Sequence, residues 1–359
     1  MCKRIERRES FLNLVRLGIG HNITPFYDDI DWIAIESLAA KQGLSAIILD
    51  GIESLPESQR PPENVLIPWI GSTLIKYEHR YELYCRTIAD LAGWYHAHGY
   101  KMMVLKGYAC SLDWPKQEHR PCGDIDIWLF GKQKAADATM IREKGLQVDN
   151  THHHHTIFYW QNFMVENHYD FLNIHHHKSN KKLETILKKL GEDDSYYIEL
   201  YGEKVYLPSP DLHALFMVRH AMKEFAAIGI NLRQILDWAF FVEKHTNLVN
   251  WKQLLTVLDD YHMRDFFDII NAICVEDLGF DTKFFPFIQH NPSLKENVLD
   301  DILSTDISVP MPSNTIMRVI WKYRRWKNNK WKHELCYQES MWSALWSGAW
   351  AHLLKPSTI

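Results

Sequence analysis

The sequence has 359 residues, of which 46% are hydrophobic and 24% are charged, and its formal net charge is −5 at pH 7. These values are ordinary for a globular protein. The negative net charge excludes nucleic-acid binding that is driven by overall positive charge. The length allows two domains, or one core with helical additions.

The cysteines and the apolar stretches of the sequence indicate the cellular compartment of the protein. None of the six cysteines belongs to a C-x-x-C pair, which argues against a disulfide framework or a zinc knuckle and suits a reducing cytoplasm. The first residues, MCKRIERRESFLNLVRLGIG, hold no apolar stretch typical of a signal peptide. No run approaches the ~18 apolar residues of a membrane span. We therefore expect a cytoplasmic protein, or at most one attached to a membrane surface.

The N-terminal part of the chain predicts helices. Apolar residues recur at helical spacing around Phe11 and again from Trp32 to Ala39, and Gly43 marks the end of the second helix. A long helix is predicted from Pro68, a favoured first-turn residue, to Gly99. Its apolar positions form one buried stripe: Leu74, Tyr77, Tyr81, Tyr84, Ile88, Leu91 and Tyr95.

Residues 102–130 are the stretch on which the functional interpretation depends. They predict a strand from Met102 to Leu105, a turn at Lys106 and Gly107, one short helix, a loop carrying Arg120, and a strand from Asp124 to Leu129. Because side chains alternate along a strand, Asp124 and Asp126 share one face. Two close carboxylates repel each other unless a cation lies between them, and ligation by oxygen alone indicates Mg²⁺ or Mn²⁺.

The alternative for this D-x-D motif is an exposed turn leading into an edge strand. Three neighbouring features favour the metal site. Lys106 and Gly107 offer a cation and open backbone N–H groups to phosphate, the D-x-D strand is half apolar and so needs a buried face, and a further acidic strand follows. In that strand, Met164 to Leu172, one face carries Glu166, His168 and Asp170. Its alternative is a polar edge strand that faces water.

The remaining elements of this part are also predicted from periodicity. They are a helix from Lys132 to Lys144, strands from Leu146 to Asp149 and from His155 to Gln161, a basic amphipathic helix from Lys178 to Leu190, and a hairpin of Tyr196–Tyr201 and Lys204–Leu207. Ser209 and Pro210 then predict a helix start, and the chain beyond is helical.

Four motifs together resemble the bacterial uncharacterised nucleotidyltransferase family, which belongs to the DNA polymerase β-like superfamily. They are Leu105-Lys106-Gly107, Arg120, Gly123-Asp124-Ile125-Asp126 and Val165-Glu166-Asn167-His168. The chain departs from the pattern in two places: it has Lys106-Gly107-Tyr108 where better-known superfamily members carry Gly-Ser, and Asn167 where the family usually has Leu. The first change removes a serine contact to phosphate, and neither removes a metal ligand.

The resemblance implies an α+β fold, with a small mixed sheet and helices as a nucleotidyltransferase core between helical N-terminal and C-terminal regions. The implied domains are 1–98, 99–207 and 208–359. The implied activity is transfer of a nucleoside monophosphate from an NTP such as ATP to an acceptor hydroxyl on a small molecule, a sugar or a protein, with release of pyrophosphate and with two Mg²⁺ or Mn²⁺ ions. The acceptor, the base and the oligomeric state stay open.

The resemblance also implies residue roles. The expected catalytic residues and metal ligands are Asp124, Asp126 and Glu166. The expected nucleotide-binding residues are Lys106, Gly107, Arg120 and Gly123. Candidates for the substrate cleft are His168, Asp170, His175, His220, Arg233 and Asp237. For Arg233 and Asp237 the alternative is an ordinary ion pair between residues four apart on one helix.

Histidine is abundant between residues 151 and 177. The consecutive histidines His152 to His155 invite a zinc or nickel hypothesis, but neighbours on a strand alternate faces and cannot all meet one ion. No H-E-x-x-H or paired-cysteine spacing accompanies them. We therefore expect no dedicated transition-metal site.

The C-terminal fifty residues combine basic residues with tryptophan. Arg318 to Lys332 interleaves cations with Trp321, Trp326 and Trp331, and Trp342, Trp346 and Trp350 follow at a spacing of four. Such a pattern can bind nucleic acid or a membrane surface. The regular spacing favours instead a helix that closes a core. Two functional alternatives follow: a nucleotide- or protein-binding regulatory module without catalysis, and a membrane-surface enzyme of polysaccharide assembly.

Overall fold

The computed structural model describes residues 2–21, 30–152, 154–174, 177–285, 288–304, 312–337 and 340. Two predictions fall outside these ranges: the place of His175 in the cleft, and the buried stripe of Trp342, Trp346 and Trp350. Within the described ranges, no helix combines the length and the apolar character needed to cross a bilayer.

The N-terminal region is helical, as predicted. Its first helices are α1 (Cys2–Gly18), α2 (Trp32–Gln42), α3 (Ser45–Glu53) and α4 (Glu63–Thr73). The Asp31 carboxylate accepts the amide N–H of Ala34 at 3.1 Å and caps the start of α2. At the other end Gly43 leaves the helix with a φ of 67°, in the left-handed region that glycine adopts without strain. The sequence signals for this helix are therefore confirmed.

The long helix predicted from Pro68 begins earlier and contains a π-helical turn. Pro68 lies inside α4, and Leu74–His79 form the π turn that leads into α5 (Arg80–Ala97). A π turn adds one residue, which rotates the following positions by about 100° relative to the preceding ones. The predicted stripe is consequently broken: Leu74 is 48% exposed, whereas Tyr84 and Tyr95 on α5 are buried as predicted.

Within the described ranges, six strands form one mixed sheet in the order β3-β4-β2-β1-β6-β5. The strands are β1 (Met103–Val104), β2 (Ile125–Trp128), β3 (His155–Trp160), β4 (Phe163–His168), β5 (Tyr197–Leu200) and β6 (Glu203–Tyr206). β2 lies between β1, to which it is antiparallel, and β4, to which it is parallel. All four residues of β2 are buried because both faces of the sheet are covered. The predicted α+β class with a small mixed sheet is confirmed.

Helices connect and cover these strands. Between the strands lie α6 (Lys106–Ser111), α7 (Gln133–Lys144) and α8 (Lys178–Leu190). After the sheet come α9 (Pro210–Ala227), α10 (Leu232–His245), α11 (Trp251–Asp260), α12 (Arg264–Ala272), α13 (Pro292–Ser304), α14 (Thr315–Asn328) and α15 (Lys330–Cys336). The Ser209 hydroxyl accepts the Leu212 amide N–H at 3.5 Å and caps α9, as the sequence predicts.

Two predicted strands differ from the structure by more than the one residue at an end seen in the others. Leu146–Asp149 contributes only an isolated bridge between Asp149 and Ile157. The strand predicted to reach Leu172 ends at His168, because the next four amide groups find partners outside the sheet. Two donate to the His154 carbonyl oxygen at 3.1 Å each, and the following two donate to the Glu184 carboxylate at 3.0 and 2.8 Å.

The sheet separates two hydrophobic cores. On one face, Ile125, Ile127 and Val165 pack with the buried side of α5. On the other, Met103 and Trp128 pack with the N-terminal helices and with the helices after the sheet. The predicted domain boundaries fall between α5 and β1 and between β6 and α9, but this second core is shared by all three segments. The three-domain division stays a prediction.

Candidate functional site

A cavity of about 450 Å³ lies between the sheet and helices α9 and α10. From the sheet side it is lined by Asp126, Glu166 and His168, and from the helix side by His220 and Arg233. Its volume falls in the range of small-molecule sites, roughly 300–1,000 Å³. The cavity contains titratable side chains from six separate segments of the chain, and we take it as the candidate functional site.

Two carboxylates meet at the centre of this site. Asp126 on β2 and Glu166 on β4 are register partners in the parallel pair. Because side chains alternate, both project from the face of the sheet that borders the cavity, while the neighbouring partners Ile125 and Val165 lie in the opposite core. Asp126 is 4% exposed. Asp124, just before β2, also lines the cavity.

Cations offset the charge of these carboxylates. The Lys106 ammonium lies 2.7 Å from Asp126 Oδ1, and His168 Nε2 lies 2.8 Å from the same oxygen and 3.4 Å from Glu166 Oε2. Burial alone would raise the pKa of Asp126, but Lys106 and His168 hold that pKa well below its usual range. Burial opposes the charge of His168 too, yet its hydrogen bonds to Asp126 and Glu166 raise its pKa. The cluster is therefore a buried, mutually compensated set of charges.

Asp124 differs from its neighbour in having no cation within ion-pair distance among the described residues. Burial raises the pKa of Asp124, and repulsion from Asp126 raises it further. Its backbone is fixed by the Tyr84 hydroxyl, which donates to the Asp124 carbonyl oxygen at 2.7 Å. The two acids of the D-x-D motif thus sit in different environments.

The turn after β1 places Lys106 beside Asp126. Lys106 has a φ of 37°, in the left-handed region that costs a residue with a Cβ atom about 1 kcal/mol or more. At Gly107 a Cβ would come within 2.9 Å of the Tyr84 hydroxyl oxygen, so only glycine fits against that side chain without a shift. Backbone strain at this position supports a functional reason for the lysine.

A buried ion pair closes the wall opposite the sheet. Arg120 donates through Nε and Nη2 to the two oxygens of Asp237, at 2.7 and 2.9 Å, and the Trp114 indole N–H donates to Asp237 at 2.8 Å. Asp237 therefore pairs with Arg120. It does not form the ion pair with Arg233, four residues earlier on the same helix, that was considered as an alternative. The Arg233 Nε is buried, and none of the described residues is its hydrogen-bond partner. Burial, and next the nearby Arg120 charge, lower the pKa of the Arg233 guanidinium.

Histidines form the rest of the rim. His154 and His155 line the cavity beside His168, and His220 faces them from α9. Burial lowers the pKa of His155 to about 4, and it also lowers the pKa of His154 and of His220 well below the usual value. These three imidazoles are neutral at pH 7, whereas His168 is the histidine that the acids favour as a cation.

Some predicted site residues lie elsewhere. The Asp170 carboxylate follows the end of β4 and pairs with Lys188 of α8, away from the cavity lining. Gly107 and Gly123 line the cavity, but a Cβ at Gly123 would meet nothing within 4 Å, so sterics do not demand glycine there. On the same helix as His220, His213 contacts Cys110 and Phe241 and is not part of the cavity lining.

Two contributors were not anticipated from sequence. Lys223 lines the cavity one helical turn after His220, and the spacing of three on α9 could have identified it. Trp114 orients Asp237 from 123 positions away along the chain, and no local pattern indicates such a pair.

Comparison with known proteins identifies a relationship over most of the chain. A sequence model of the family described as "Uncharacterised nucleotidyltransferase" matches residues 28–279. Among solved structures, an antigenic nucleotidyltransferase-like protein from Paracoccidioides brasiliensis is 12% identical with a TM-score of 0.37, and the match covers 56% of this chain and 95% of that chain. That similarity is too low to carry an argument. No curated protein matches the sequence.

Proposed function

The chain belongs to the uncharacterised nucleotidyltransferase family, and from that membership we propose that it transfers a nucleoside monophosphate from an NTP to an acceptor hydroxyl and releases pyrophosphate. The acceptor oxygen forms a bond to the α-phosphorus as the bond to pyrophosphate breaks. The observation that carries the proposal is the register pairing of Asp126 with Glu166 on the wall of a cavity that Asp124 and Lys106 also line.

The acidic residues fit divalent cations. Asp124, Asp126 and Glu166 offer carboxylate oxygens, the ligands that Mg²⁺ and Mn²⁺ prefer. The Lys106 ammonium already lies 2.7 Å from Asp126, so the site stabilises positive charge at this point. When bound, two such ions would stabilise the attacking and the leaving oxygens of the transfer. Asp124 and Asp126 would hold both ions, and Glu166 would hold the one nearer the acceptor.

Two cationic side chains, Lys106 and Arg233, support binding of the triphosphate. Displacement of Lys106 from Asp126 by a metal ion would free its ammonium for phosphate oxygens, and the Gly107 N–H lies beside it on the cavity wall. Arg233 offers a guanidinium whose Nε has no partner. Arg120, expected from sequence to contact the nucleotide, is held by Asp237 and would act by positioning the wall.

One observation favours a second candidate, a nucleotide- or protein-binding module without catalysis. The Lys106 ammonium occupies the space beside Asp126 that a metal ion would need, at 2.7 Å from the carboxylate oxygen. If that pair persists with NTP bound, no ion reaches Asp126. Magnesium-dependent release of pyrophosphate distinguishes the two functions, because only the transferase produces it.

Peripheral membrane contact is a separate proposal about location. On α14, Met317, Ile320 and Tyr323 are 55%, 39% and 60% exposed, and Arg318 and Arg324 lie on the same helix. Exposed apolar side chains beside cations are typical of interfacial helices. Co-sedimentation with anionic liposomes tests this proposal, and a chain that stays in the supernatant contradicts it.

A screen for transfer tests the proposed function. The protein is incubated with Mg²⁺, each of the four NTPs and candidate small-molecule, sugar and protein acceptors, and products are identified by mass spectrometry alongside a pyrophosphate assay. We expect one acceptor to gain a nucleoside monophosphate.

The matched controls are acid-to-amide variants. Asp124→Asn and Asp126→Asn should both lose Mg²⁺-dependent NTP binding in titration calorimetry. Asp124→Asn should keep the fold, because like-charge repulsion is relieved, whereas Asp126→Asn should also lower stability, because it leaves Lys106 and His168 without their carboxylate. Undiminished Mg-NTP affinity in both variants would reject the metal site. Binding of NTP without any transfer would support the regulatory module instead.

A further inference from the structure

Three imidazoles meet at the edge of the sheet. His155 on β3 is the antiparallel register partner of His168 at the end of β4, and His154 precedes β3. Their ring centroids lie 4.4 Å apart for His154 and His155, 5.3 Å for His155 and His168, and 5.8 Å for His154 and His168. One ring nitrogen of each lies within 4.8 Å of the others.

The sequence argument against a metal site does not hold for these residues. It assumed that neighbouring histidines alternate along a strand, but β3 begins at His155, so His154 is free of that alternation. Two consecutive histidines therefore reach one cluster.

Two of these imidazoles carry buried nitrogens that no described residue satisfies. Within the described part of the chain, the Nδ1 atoms of His154 and His155 have no hydrogen-bond partner, and His155 is only 7% exposed. An unsatisfied buried polar atom costs about 1–3 kcal/mol, so such atoms in a folded protein call for an explanation. A bound cation explains both at once, because a neutral imidazole nitrogen is a metal ligand.

Distances to Glu166 match a single ion. Two ligands at about 2.1 Å from a tetrahedral metal lie about 3.4 Å apart. Glu166 Oε2 lies 3.4 Å from His168 Nε2 and 3.8 Å from His155 Nδ1. The other nitrogen of His168, Nδ1, faces the Asp170 carbonyl oxygen at 3.4 Å, which is the outer contact that commonly fixes a metal-binding histidine. The Nε2 atom is thereby directed toward Asp126 and Glu166, and a bound metal ion would take the place of the proton that Nε2 shares with Asp126.

We propose that His154, His155, His168 and Glu166 bind one transition-metal ion of the Zn²⁺, Co²⁺ or Mn²⁺ type, next to the carboxylates of the D-x-D motif. Three nitrogens and one carboxylate form a donor set that such ions prefer over Mg²⁺. The ion shares Glu166 with the proposed nucleotidyl-transfer site. Its binding does not depend on that function, because it requires no nucleotide.

Cobalt provides the direct test. Protein stripped of metal by chelation is titrated with Co²⁺ in the presence of excess Mg²⁺, without nucleotide, and both heat and visible absorption are recorded. We expect one equivalent of Co²⁺ to bind with the intense visible bands of a four- or five-coordinate, nitrogen-ligated ion. His155→Gln should lower the Co²⁺ affinity at least about tenfold. Loss of a residue that only supports a metal ligand already lowers affinity by about that much, and His155 would be a ligand itself.

His152→Gln is the matched control, since His152 belongs to the same run of histidines and stacks on His155 at 4.8 Å but is not among the candidate ligands. It should leave the affinity unchanged. Equal loss in both variants would mean adventitious binding by the histidine run and would overturn the proposal, as would displacement of Co²⁺ by Mg²⁺ or unchanged affinity in His155→Gln. If His155→Gln does not fold, Glu166→Gln gives the same test: the Co²⁺ bands must shift. If the parent protein binds Co²⁺ as expected but shows no nucleotidyl transfer in the acceptor screen, only the proposed function is rejected.

Discussion

Asp237→Asn should strongly destabilise the protein. The change keeps the shape of the side chain but leaves the buried guanidinium of Arg120 without its carboxylate, and both side chains are only 6% exposed. At an effective dielectric constant of about 20, a pair at ~4 Å contributes about 4 kcal/mol, and removing one partner of a buried pair typically costs 3–5 kcal/mol. We therefore expect the free energy of unfolding to fall by about 4 kcal/mol.

Urea denaturation followed by tryptophan fluorescence measures this loss. With an m-value of about 3 kcal/mol/M, the midpoint should fall by about 1 M. The matched control is Glu82→Gln, which breaks an Arg–carboxylate pair of similar length, 2.8 Å, between side chains that are 60% and 54% exposed. That control should leave the midpoint unchanged.

The pH dependence gives a second measurement of the same pair. Burial alone would raise the pKa of Asp237, but Arg120 lowers it below the usual value. The stability that the pair contributes is therefore present above about pH 4 and is lost as the pH falls through the lower folded-state pKa. The difference between parent and Asp237→Asn should be constant near neutrality and shrink in acid. A midpoint within error of the parent at pH 7 would refute this reasoning.

The remaining predictions concern the cavity and the segment after β4. Glu166→Gln should keep near-normal Mg-NTP affinity but lose product in a pyrophosphate-release assay, whereas Asp170→Asn should keep most activity; the reverse would move the third ligand to Asp170. Burial raises the pKa of Glu184 to about 7 from 4.5, so its contribution to stability is present below pH 4.5 and lost as the pH rises through 7. In urea denaturation, the free energy of unfolding of the parent relative to that of Glu184→Gln should therefore fall by about 3 kcal/mol between about pH 4 and pH 8. Parallel curves of the two proteins would contradict this. Arg233→Gln should weaken NTP binding in titration calorimetry without loss of stability, because its Nε has no partner; unchanged affinity would remove it from the phosphate site.

Local sequence patterns predicted the parts of this site that depend on strand alternation. Asp126 and Glu166 were each expected on the polar face of a strand, and the register of β2 and β4 places them side by side. The same reasoning misplaced Asp170. The alternating sequence pattern continues past His168, but the backbone leaves the sheet at that residue. Whether a strand ends is decided by distant partners such as Glu184, whose carboxylate takes up two of the freed amides.

Pairs that are distant in sequence could not be read from it. Asp237 and Arg233 have the spacing of a helical ion pair, but a buried carboxylate selects the partner with the better geometry, and Arg120 approaches it with two parallel hydrogen bonds. The π turn before α5 could not be predicted from the sequence either, because one extra residue in a helical turn does not change the local amino-acid composition.

The order of the strands has a consequence for how the protein folds. β3 and β4 form a local hairpin, whereas β4 pairs with β2 across a separation of about 40 residues, the distance from Asp126 to Glu166. Contacts between distant segments lose more entropy when the intervening loop closes, and they therefore form later than local contacts. The two acids that face the cavity therefore come together in a late step, against their mutual repulsion. Divalent cations should speed that step, and a folding intermediate should contain the hairpin before it contains the site.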